Sequence, residues 1–227
     1  MLSVRNLTKR YGHSLVLDDI SFDLPQTGIT FLMGENGAGK TTLIKAMLGL
    51  ERYQGEVLYD GRDLRQVSTD VAVVFDDAPS YRGLNGYRNL ELLCPRKVPS
   101  QQLRDAAREY LGDDLLRKNV RRYSYGQRKK LSIACALLAR PKYLIMDEVS
   151  NGLDYETMEH LKGEFRERAR ESAVFLTGHQ FDFYTSIVSR VLVLKGGKIR
   201  EFELDEQPTP TQSPLGQLYE RTVKDVS

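Results

Sequence analysis

Cysteine is scarce in this 227-residue sequence, which contains only Cys94 and Cys135. The two lie far apart along the chain and fit no metal-ligand spacing, which argues against a disulfide framework and against a zinc site. Scarce cysteine also fits a reducing compartment. Because Cys135 falls within an apolar stretch of a predicted helix, we expect it to be an ordinary core residue.

Long apolar runs and a strong net charge are missing as well. No run approaches the ~20 apolar residues that a membrane-spanning helix needs, and no basic segment followed by an apolar core marks a signal peptide at the N-terminus. The net charge of +2 gives no argument for nucleic acid as a partner. The composition is that of a globular protein, and the chain is long enough for one large domain or two small subdomains.

The strongest signal in the sequence is a glycine-rich loop at residues 34–42, which reads Gly34-Glu35-Asn36-Gly37-Ala38-Gly39-Lys40-Thr41-Thr42. It follows an apolar run at 29–33 and precedes a helical pattern at 43–48, which is the context of a phosphate-binding loop. Glycines let successive backbone N–H groups point at phosphate oxygens, and the helix start adds its positive dipole end. A glycine turn with an unrelated lysine fits this match poorly. The loop alone predicts a nucleoside triphosphate site and does not separate a transporter ATPase from a kinase or a GTPase.

Individual residues in and after this loop have predicted roles. Lys40 is expected to reach the β- and γ-phosphates, and the Thr41 hydroxyl to bind Mg²⁺. A second buried strand pattern, at 144–146, ends in Asp147 and Glu148. In a phosphate-loop enzyme such an acid binds Mg²⁺ through water, and a second acid can orient or deprotonate the attacking water. We therefore predict Asp147 at the metal and Glu148 as the base, against the alternative of a solvated acidic turn.

The order of strand and helix patterns predicts the fold. Residues 76 to about 139 are helical, residues 155–170 form a charged helix, and strand patterns lie at 2–33, 71–75, 143–146, 173–177 and 191–194. Strands that alternate with helices imply a parallel α/β sheet, here interrupted by a helical insertion. The proline-rich stretch 207–214 is expected to be an extended linker, and 215–226 a terminal helix.

A short motif, Ser124-Tyr125-Gly126-Gln127, directly precedes the helix predicted at 126–140. Ser124 is a good helix N-cap, which is sufficient to explain it. Alternatively, the hydroxyl, the glycine backbone and the helix dipole form a second anion site. The motif by itself does not decide between these two interpretations.

Together, these motifs resemble the ATP-binding subunits of ABC (ATP-binding cassette) transporters over about residues 1–200. The phosphate loop, the signature motif at 124–127 and the acidic pair at 147–148 stand in that family's order. The segment 151–154, Asn-Gly-Leu-Asp, resembles its D-loop, His179 its switch histidine and Tyr11 its adenine-stacking aromatic. The resemblance implies a P-loop NTPase core with a parallel sheet, an N-terminal antiparallel β-subdomain and an inserted helical subdomain. It places the nucleotide-binding domain at 1–205, with the insertion at about 77–139, and a linker and C-terminal helical tail at 206–227.

The resemblance also implies roles for individual residues. Lys40, Glu148 and His179 would act in hydrolysis, and Thr41, Asp76 and Asp147 would bind Mg²⁺. The residues implied to contact ATP are Tyr11, Gly34, Asn36, Gly37, Ala38, Gly39, Lys40, Thr41, Thr42, Ser124, Gly126, Gln127 and Asp154. Since Ser124 and Gly126 would reach an ATP held by a second subunit, the resemblance implies a head-to-tail homodimer or heterodimer around two ATP molecules.

Two departures from the family pattern matter for the site. The family usually has Leu-Ser-Gly-Gly-Gln, whereas this chain has Tyr125 where the first glycine is usual. After the strand at 71–75 the family has a glutamine that touches Mg²⁺ and the attacking water, whereas this chain has Asp76. A carboxylate can also bind Mg²⁺, so Asp76 stands among the predicted metal ligands. A solvated turn at Asp76 and Asp77 is the alternative.

The function implied by the resemblance is an ATPase that drives transport through a separate membrane permease. It would lie peripherally on the cytoplasmic face of the membrane, use ATP and Mg²⁺, and bind no nucleic acid. The short helical insertion and the segment 149–152 favour an exporter over an importer. One alternative is an ABC ATPase of translation or DNA repair, whose usual tandem cassettes or long coiled-coil insertions are missing here. The other is a regulatory module that binds ATP without useful turnover.

Overall fold

The computed structural model of the chain describes residues 1–94, 99–204 and 213–224. Its strands are β1 (Leu2–Tyr11), β2 (Ser14–Leu24), β3 (Gly28–Met33), β4 (Gln54–Tyr59), β5 (Val71–Val74), β6 (Tyr143–Met146), β7 (Ala173–Thr177), β8 (Arg190–Lys195) and β9 (Lys198–Glu203). Its helices are α1 (Lys40–Met47), α2 (Leu64–Val67), α3 (Gly86–Leu93), α4 (Ser100–Leu111), α5 (Asp113–Arg117), α6 (Tyr125–Leu138), α7 (Tyr155–Arg168), α8 (Phe181–Thr185) and α9 (Pro214–Tyr219).

A six-stranded sheet forms the centre of the fold, with the strand order β5-β6-β7-β3-β8-β9. The first five of these strands run parallel, and β9 pairs antiparallel with β8. The carboxyl ends of the neighbouring strands β6, β7 and β3 therefore lie at one edge of the sheet. This edge receives the acidic pair, His179 and the phosphate loop from the three strands in turn, and the predicted parallel α/β fold is confirmed.

Successive side chains of each strand point to opposite faces of this sheet. Both faces are covered, each by a hydrophobic core of its own. Phe31 and Met33 join the core under α6 to α9, whereas Leu32 joins a second core with α1. The second core also includes the three-stranded antiparallel sheet, ordered β2-β1-β4. The N-terminal antiparallel β-subdomain is thus present and sandwiches α1 against the main sheet.

The helical insertion has a core of its own, made by α3, α4, α5 and α6. Cys94 and Cys135 are both buried in it and both free, as expected of core residues, and the Cys94 thiol donates to the Cys135 carbonyl at 3.4 Å. Ser124 begins α6 with a reciprocal capping box: its hydroxyl accepts from the Gln127 N–H, and the Gln127 side chain accepts from the Ser124 N–H. The predicted N-cap is confirmed.

The C-terminal segment packs on the main core. Leu215, Leu218 and Val223 are buried in the cluster that also contains α8, and the Phe181 and Tyr219 rings lie 4.9 Å apart. The stretch predicted as a linker at 207–214 lies outside the described residues except for its last two, and so does the end of the helix predicted at 215–226. Among the described residues, no helix is both long and apolar enough to cross a bilayer.

Candidate nucleotide-binding and hydrolysis site

The phosphate loop connects β3 to α1, and glycine conformations shape it. Gly37 and Gly39 have φ angles of 81° and 106°, which glycine adopts without the steric cost that other residues pay. A Cβ at Gly39 would also come within 3.0 Å of the Val16 side chain. The loop delivers the chain to α1, which starts at Lys40 without a side-chain cap. The first N–H groups of the helix thus lack a side-chain acceptor at the cap, which leaves them available to an anion.

Lys40 places a cation in the middle of this loop. Its ammonium donates to the carbonyl oxygens of Gly34 and Glu35 at 2.8 and 3.1 Å, and the residue is only 7% exposed. Burial lowers the pKa of Lys40, while the charges of Glu148 and Asp147 oppose that shift. The loop curls around its own lysine, and the two carbonyl contacts are ones that phosphate oxygens could replace.

Asp147, which follows β6, connects the start of α1 to the end of β7 through its two carboxylate oxygens. The Thr41 hydroxyl donates to one oxygen at 2.7 Å, and the Thr177 hydroxyl donates to the other at 2.6 Å. The described residues contain no cluster of three or more His, Cys, Asp or Glu side chains that could hold a metal ion. A hydroxyl and a carboxylate in contact still fit Mg²⁺ bound with substrate phosphates and water, which is how this ion is usually held.

Glu148 lies beside this pair in a constrained conformation. Its φ is 53°, an uncommon value for a residue other than glycine, and its Oε1 lies 3.1 Å from Nε2 of His179. Burial raises the pKa of Glu148, with His179 and Lys40 opposing the shift and Asp147 adding to it. Its Oε2 is buried without a hydrogen-bond partner in the part of the chain that is described. A buried carboxylate with one open acceptor is suited to take a proton from water.

Thr177 is a site residue that the sequence did not indicate. Its hydroxyl donates to Asp147 and accepts from the Glu148 N–H at 3.0 Å, so it connects both acids. The Tyr184 hydroxyl donates to the Thr177 carbonyl at 3.0 Å. A threonine at the end of an apolar strand is too common to stand out, and its place two residues before His179 is the one available signal.

The signature motif lies at the start of α6, and its Ser124 is exposed. Within the described chain, the hydrogen bonds of Ser124 and Gln127 are those of the helix start rather than contacts to the phosphate loop. The Asp154 carboxylate caps α7 through the Thr157 N–H at 2.9 Å and pairs with Lys130 at 2.8 Å. One subunit therefore gathers Lys40, Thr41, Asp147, Glu148 and His179, and leaves the signature motif facing outward.

Tyr11 lies at the end of β1 with 46% of its surface exposed. The Lys9 ammonium lies 4.5 Å from the centre of its ring. An exposed ring at a strand end offers a face for stacking, and the predicted contact with adenine remains a prediction.

Asp76 makes contacts that the sequence did not predict. Its carboxylate accepts from the Tyr125 hydroxyl at 2.7 Å, from the Lys129 ammonium at 3.1 Å and from the Asn151 amide at 3.3 Å. Burial opposes ionisation, but the hydrogen bonds from Tyr125 and Lys129 outweigh it and lower the pKa of Asp76. Tyr125 and Asp76, the two departures that matter for the site, are therefore hydrogen-bonded to each other. Neither Thr41 nor Asp147 is among the hydrogen-bond partners of Asp76 in the described chain.

Comparisons with known proteins agree with this geometry. The ABC transporter family model matches residues 17–151. The chain is 31% identical over 226 residues to the uncharacterized ABC transporter ATP-binding protein YhcH of Bacillus subtilis (strain 168), covering 92% of this chain and 73% of that protein. It is 32% identical over 216 residues to the sulfate/thiosulfate import ATP-binding protein CysA of Burkholderia mallei, covering 88% of this chain and 61% of that protein.

Two further similarities come from a transport protein and from a solved structure. The lantibiotic transport ATP-binding protein SrtF of Streptococcus pyogenes is 30% identical over 169 residues, covering 71% of this chain and 72% of that protein. A solved structure described as the ATP binding subunit of an ABC transporter matches with a TM-score of 0.83 at 25% identity and covers 91% of each chain.

Proposed function

This chain belongs to the ABC transporter family, as the resemblance of its motifs implied, and we propose that it is the subunit that hydrolyses ATP to drive a separate membrane permease. The observation that carries the proposal is the arrangement around Glu148. Its buried carboxylate lies beside the phosphate loop, with one oxygen on His179 and the other open. A module that only bound ATP would not need this base.

The described side chains divide the work of hydrolysis. Lys40 is placed to bind the β- and γ-phosphates, as loop lysines do in this class of enzyme. Glu148 would accept a proton from the attacking water through its open oxygen, and His179, in contact with Glu148, would contact the γ-phosphate. Mg²⁺, held by Thr41 and Asp147, would neutralise charge on the phosphates.

Phosphate release by the purified chain in the presence of ATP and Mg²⁺ tests this proposal. Lys40→Ala should abolish release and weaken ATP binding, because it removes the cation of the loop. The domain should stay folded, which thermal unfolding checks, since Lys40 belongs to none of the three hydrophobic clusters that form the core of the described chain. Lys45→Ala, on the same helix, is the matched control and should hydrolyse normally. Unchanged turnover in the Lys40→Ala protein would refute the site.

We also propose that two subunits pair around ATP. Ser124 and Gly126 lie at the start of α6, where backbone N–H groups and the helix dipole favour an anion. Ser124 is exposed rather than turned toward the phosphate loop of its own subunit. A second subunit, identical or homologous, would bring its own phosphate loop to this motif, so that each ATP is held from two sides.

The permease is the second proposed partner, and it would hold the chain at the cytoplasmic face of the membrane. A groove of about 330 Å³ opens between the edge strand β5 and α6, with Val71, Val73, Leu93 and Ala136 among its lining residues. Leu92, the residue before Leu93 in the chain, is 59% exposed. Relatives named for import and for lantibiotic transport both match, and we propose export on the basis of the short helical insertion. Copurification of a multispanning protein from detergent-solubilised membranes, followed by reconstituted transport in both directions, tests partner and direction.

A further inference from the structure

Lys129, in the first turns of α6, has a fully buried side chain that the sequence analysis did not single out. Its ammonium lies within hydrogen-bond distance of several oxygens from two strand ends. They are the carbonyls of Phe75 at 3.4 Å, Asp76 at 3.2 Å and Glu148 at 3.1 Å, and the Asp76 carboxylate at 3.1 Å. Since an ammonium has three donors, its hydrogen-bonding capacity is fully used by the ends of β5 and β6.

The charge of Lys129 needs a partner, because an unpaired buried charge is strongly destabilising. Asp76 supplies it, and the Asp76 carboxylate is held in turn by the Tyr125 hydroxyl and the Asn151 amide. The Tyr125 ring lies over Gly152, where an added Cβ would come within 2.3 Å of a ring carbon. Asp76, Tyr125, Lys129 and Asn151 thus form one polar cluster, hereafter the Lys129 cluster.

The Lys129 cluster contacts the backbone of Glu148. Glu148 adopts a left-handed conformation that costs free energy in any residue except glycine. Three hydrogen bonds fix its peptide groups: Thr177 accepts from its N–H, and its carbonyl accepts from the Lys129 ammonium and from the Asn151 N–H at 3.2 Å. With both ends fixed, the side chain is directed at His179.

We propose that Lys129 is a positioning residue for Glu148 and that Asp76 is its counter-charge rather than a ligand of Mg²⁺. The inference rests on the proposed hydrolysis of ATP, in which Glu148 is the base. It also accounts for Tyr125 and Asp76, the two departures from the family pattern that matter for the site, because both belong to the same cluster.

A set of variants tests this inference: Lys129→Met, Asp76→Asn, the double variant, and Lys224→Met as control. Lys224 pairs with Glu220 on the surface, and none of its described contacts is with the Lys129 cluster. Turnover, ATP affinity, unfolding temperature and the Mg²⁺ concentration for half-maximal turnover are measured for each. Amide hydrogen exchange of residues 147–150 is followed without nucleotide, as a readout that does not depend on hydrolysis.

Lys129→Met should lower turnover by about 10- to 100-fold, the usual cost of losing a residue that orients an active-site group. ATP affinity should be unchanged, and exchange at 147–150 should be faster. Asp76→Asn should lower the unfolding temperature by roughly 5 °C or more, without changing the Mg²⁺ requirement. The double variant, which has neither charge, should regain the unfolding temperature but not the turnover. The Lys224→Met protein should match the parent in all measurements.

Three results would overturn the inference: parental turnover in Lys129→Met, recovery of turnover together with stability in the double variant, or a raised Mg²⁺ requirement in Asp76→Asn. If the parent itself released no phosphate, the proposed function would fail. Hydrogen exchange would still test whether Lys129 positions Glu148. Faster exchange at 147–150 in Lys129→Met would support the positioning of Glu148, and unchanged exchange would refute it.

Discussion

Replacement of Thr177 by valine tests whether the two acids of the site depend on one hydroxyl. Thr177 is fully buried and Asp147 is 2% exposed. Valine has a similar shape and leaves no cavity, but it removes the donor to Asp147 and the acceptor of the Glu148 N–H. Each buried polar group left without a partner costs about 1–3 kcal/mol, and a charged group costs more. The free energy of unfolding should therefore fall by about 4 kcal/mol.

For a chain of this size the unfolding temperature changes by about 2–4 °C per kcal/mol, so Thr177→Val should unfold roughly 8–16 °C below the parent. Thermal unfolding followed by circular dichroism, without nucleotide, measures this change. Thr177→Ser is the matched control: it keeps the hydroxyl, loses one methyl group and should cost only about 1 kcal/mol. A valine variant within about 0.5 kcal/mol of the parent would refute the hydrogen-bond reasoning.

Two further predictions concern Tyr11 and Glu148. Tyr11→Ala should weaken ATP binding by about 1–3 kcal/mol, the usual worth of base stacking, whereas Tyr11→Phe should bind normally; equal affinities by calorimetry would remove the ring from the site. Because burial raises the pKa of Glu148, the stability it contributes is present below the ordinary carboxylate range and is lost as the pH rises through the raised value. Glu148→Gln cannot ionise, so its stability relative to the parent should increase as the pH rises above the ordinary carboxylate range, and a difference independent of pH would contradict the shift.

The sequence predicted the site residues that come from strand ends. The phosphate loop, the pair at 147–148 and His179 each follow a buried strand, and carboxyl ends of parallel strands meet at one edge of a sheet. Their convergence could therefore be expected before any coordinates. The hairpin of β8 and β9 was not predicted, although Gly196 and Gly197, both with positive φ, are a turn signal between two strands.

Contacts between distant residues could not be predicted in the same way. Lys129 and Asp76 are 53 positions apart, and nothing local to either residue indicates that a buried ammonium needs that particular carboxylate. Asp76 was predicted as a metal ligand from its place after a strand, a role that no observation tests, and its pairing with Lys129 is the reason that we propose a counter-charge instead. The C-terminal segment packs on the main core through Leu215, Leu218 and Val223. The spacing of these residues in the sequence indicates an apolar face, but it does not indicate which surface that face packs against.

ATP-dependent pairing of the Glu148→Gln protein is the most direct test of the central claim, that two such subunits close around ATP and that Glu148 ends this state by hydrolysis. Glutamine keeps the shape of the side chain but cannot accept the proton, which should slow turnover by about 10²–10⁴-fold. Light scattering after gel filtration should then show a dimer with ATP and Mg²⁺ and a monomer with ADP. A Glu148→Gln protein that stays monomeric with ATP and hydrolyses it at the parental rate would contradict both the catalytic role and the paired arrangement.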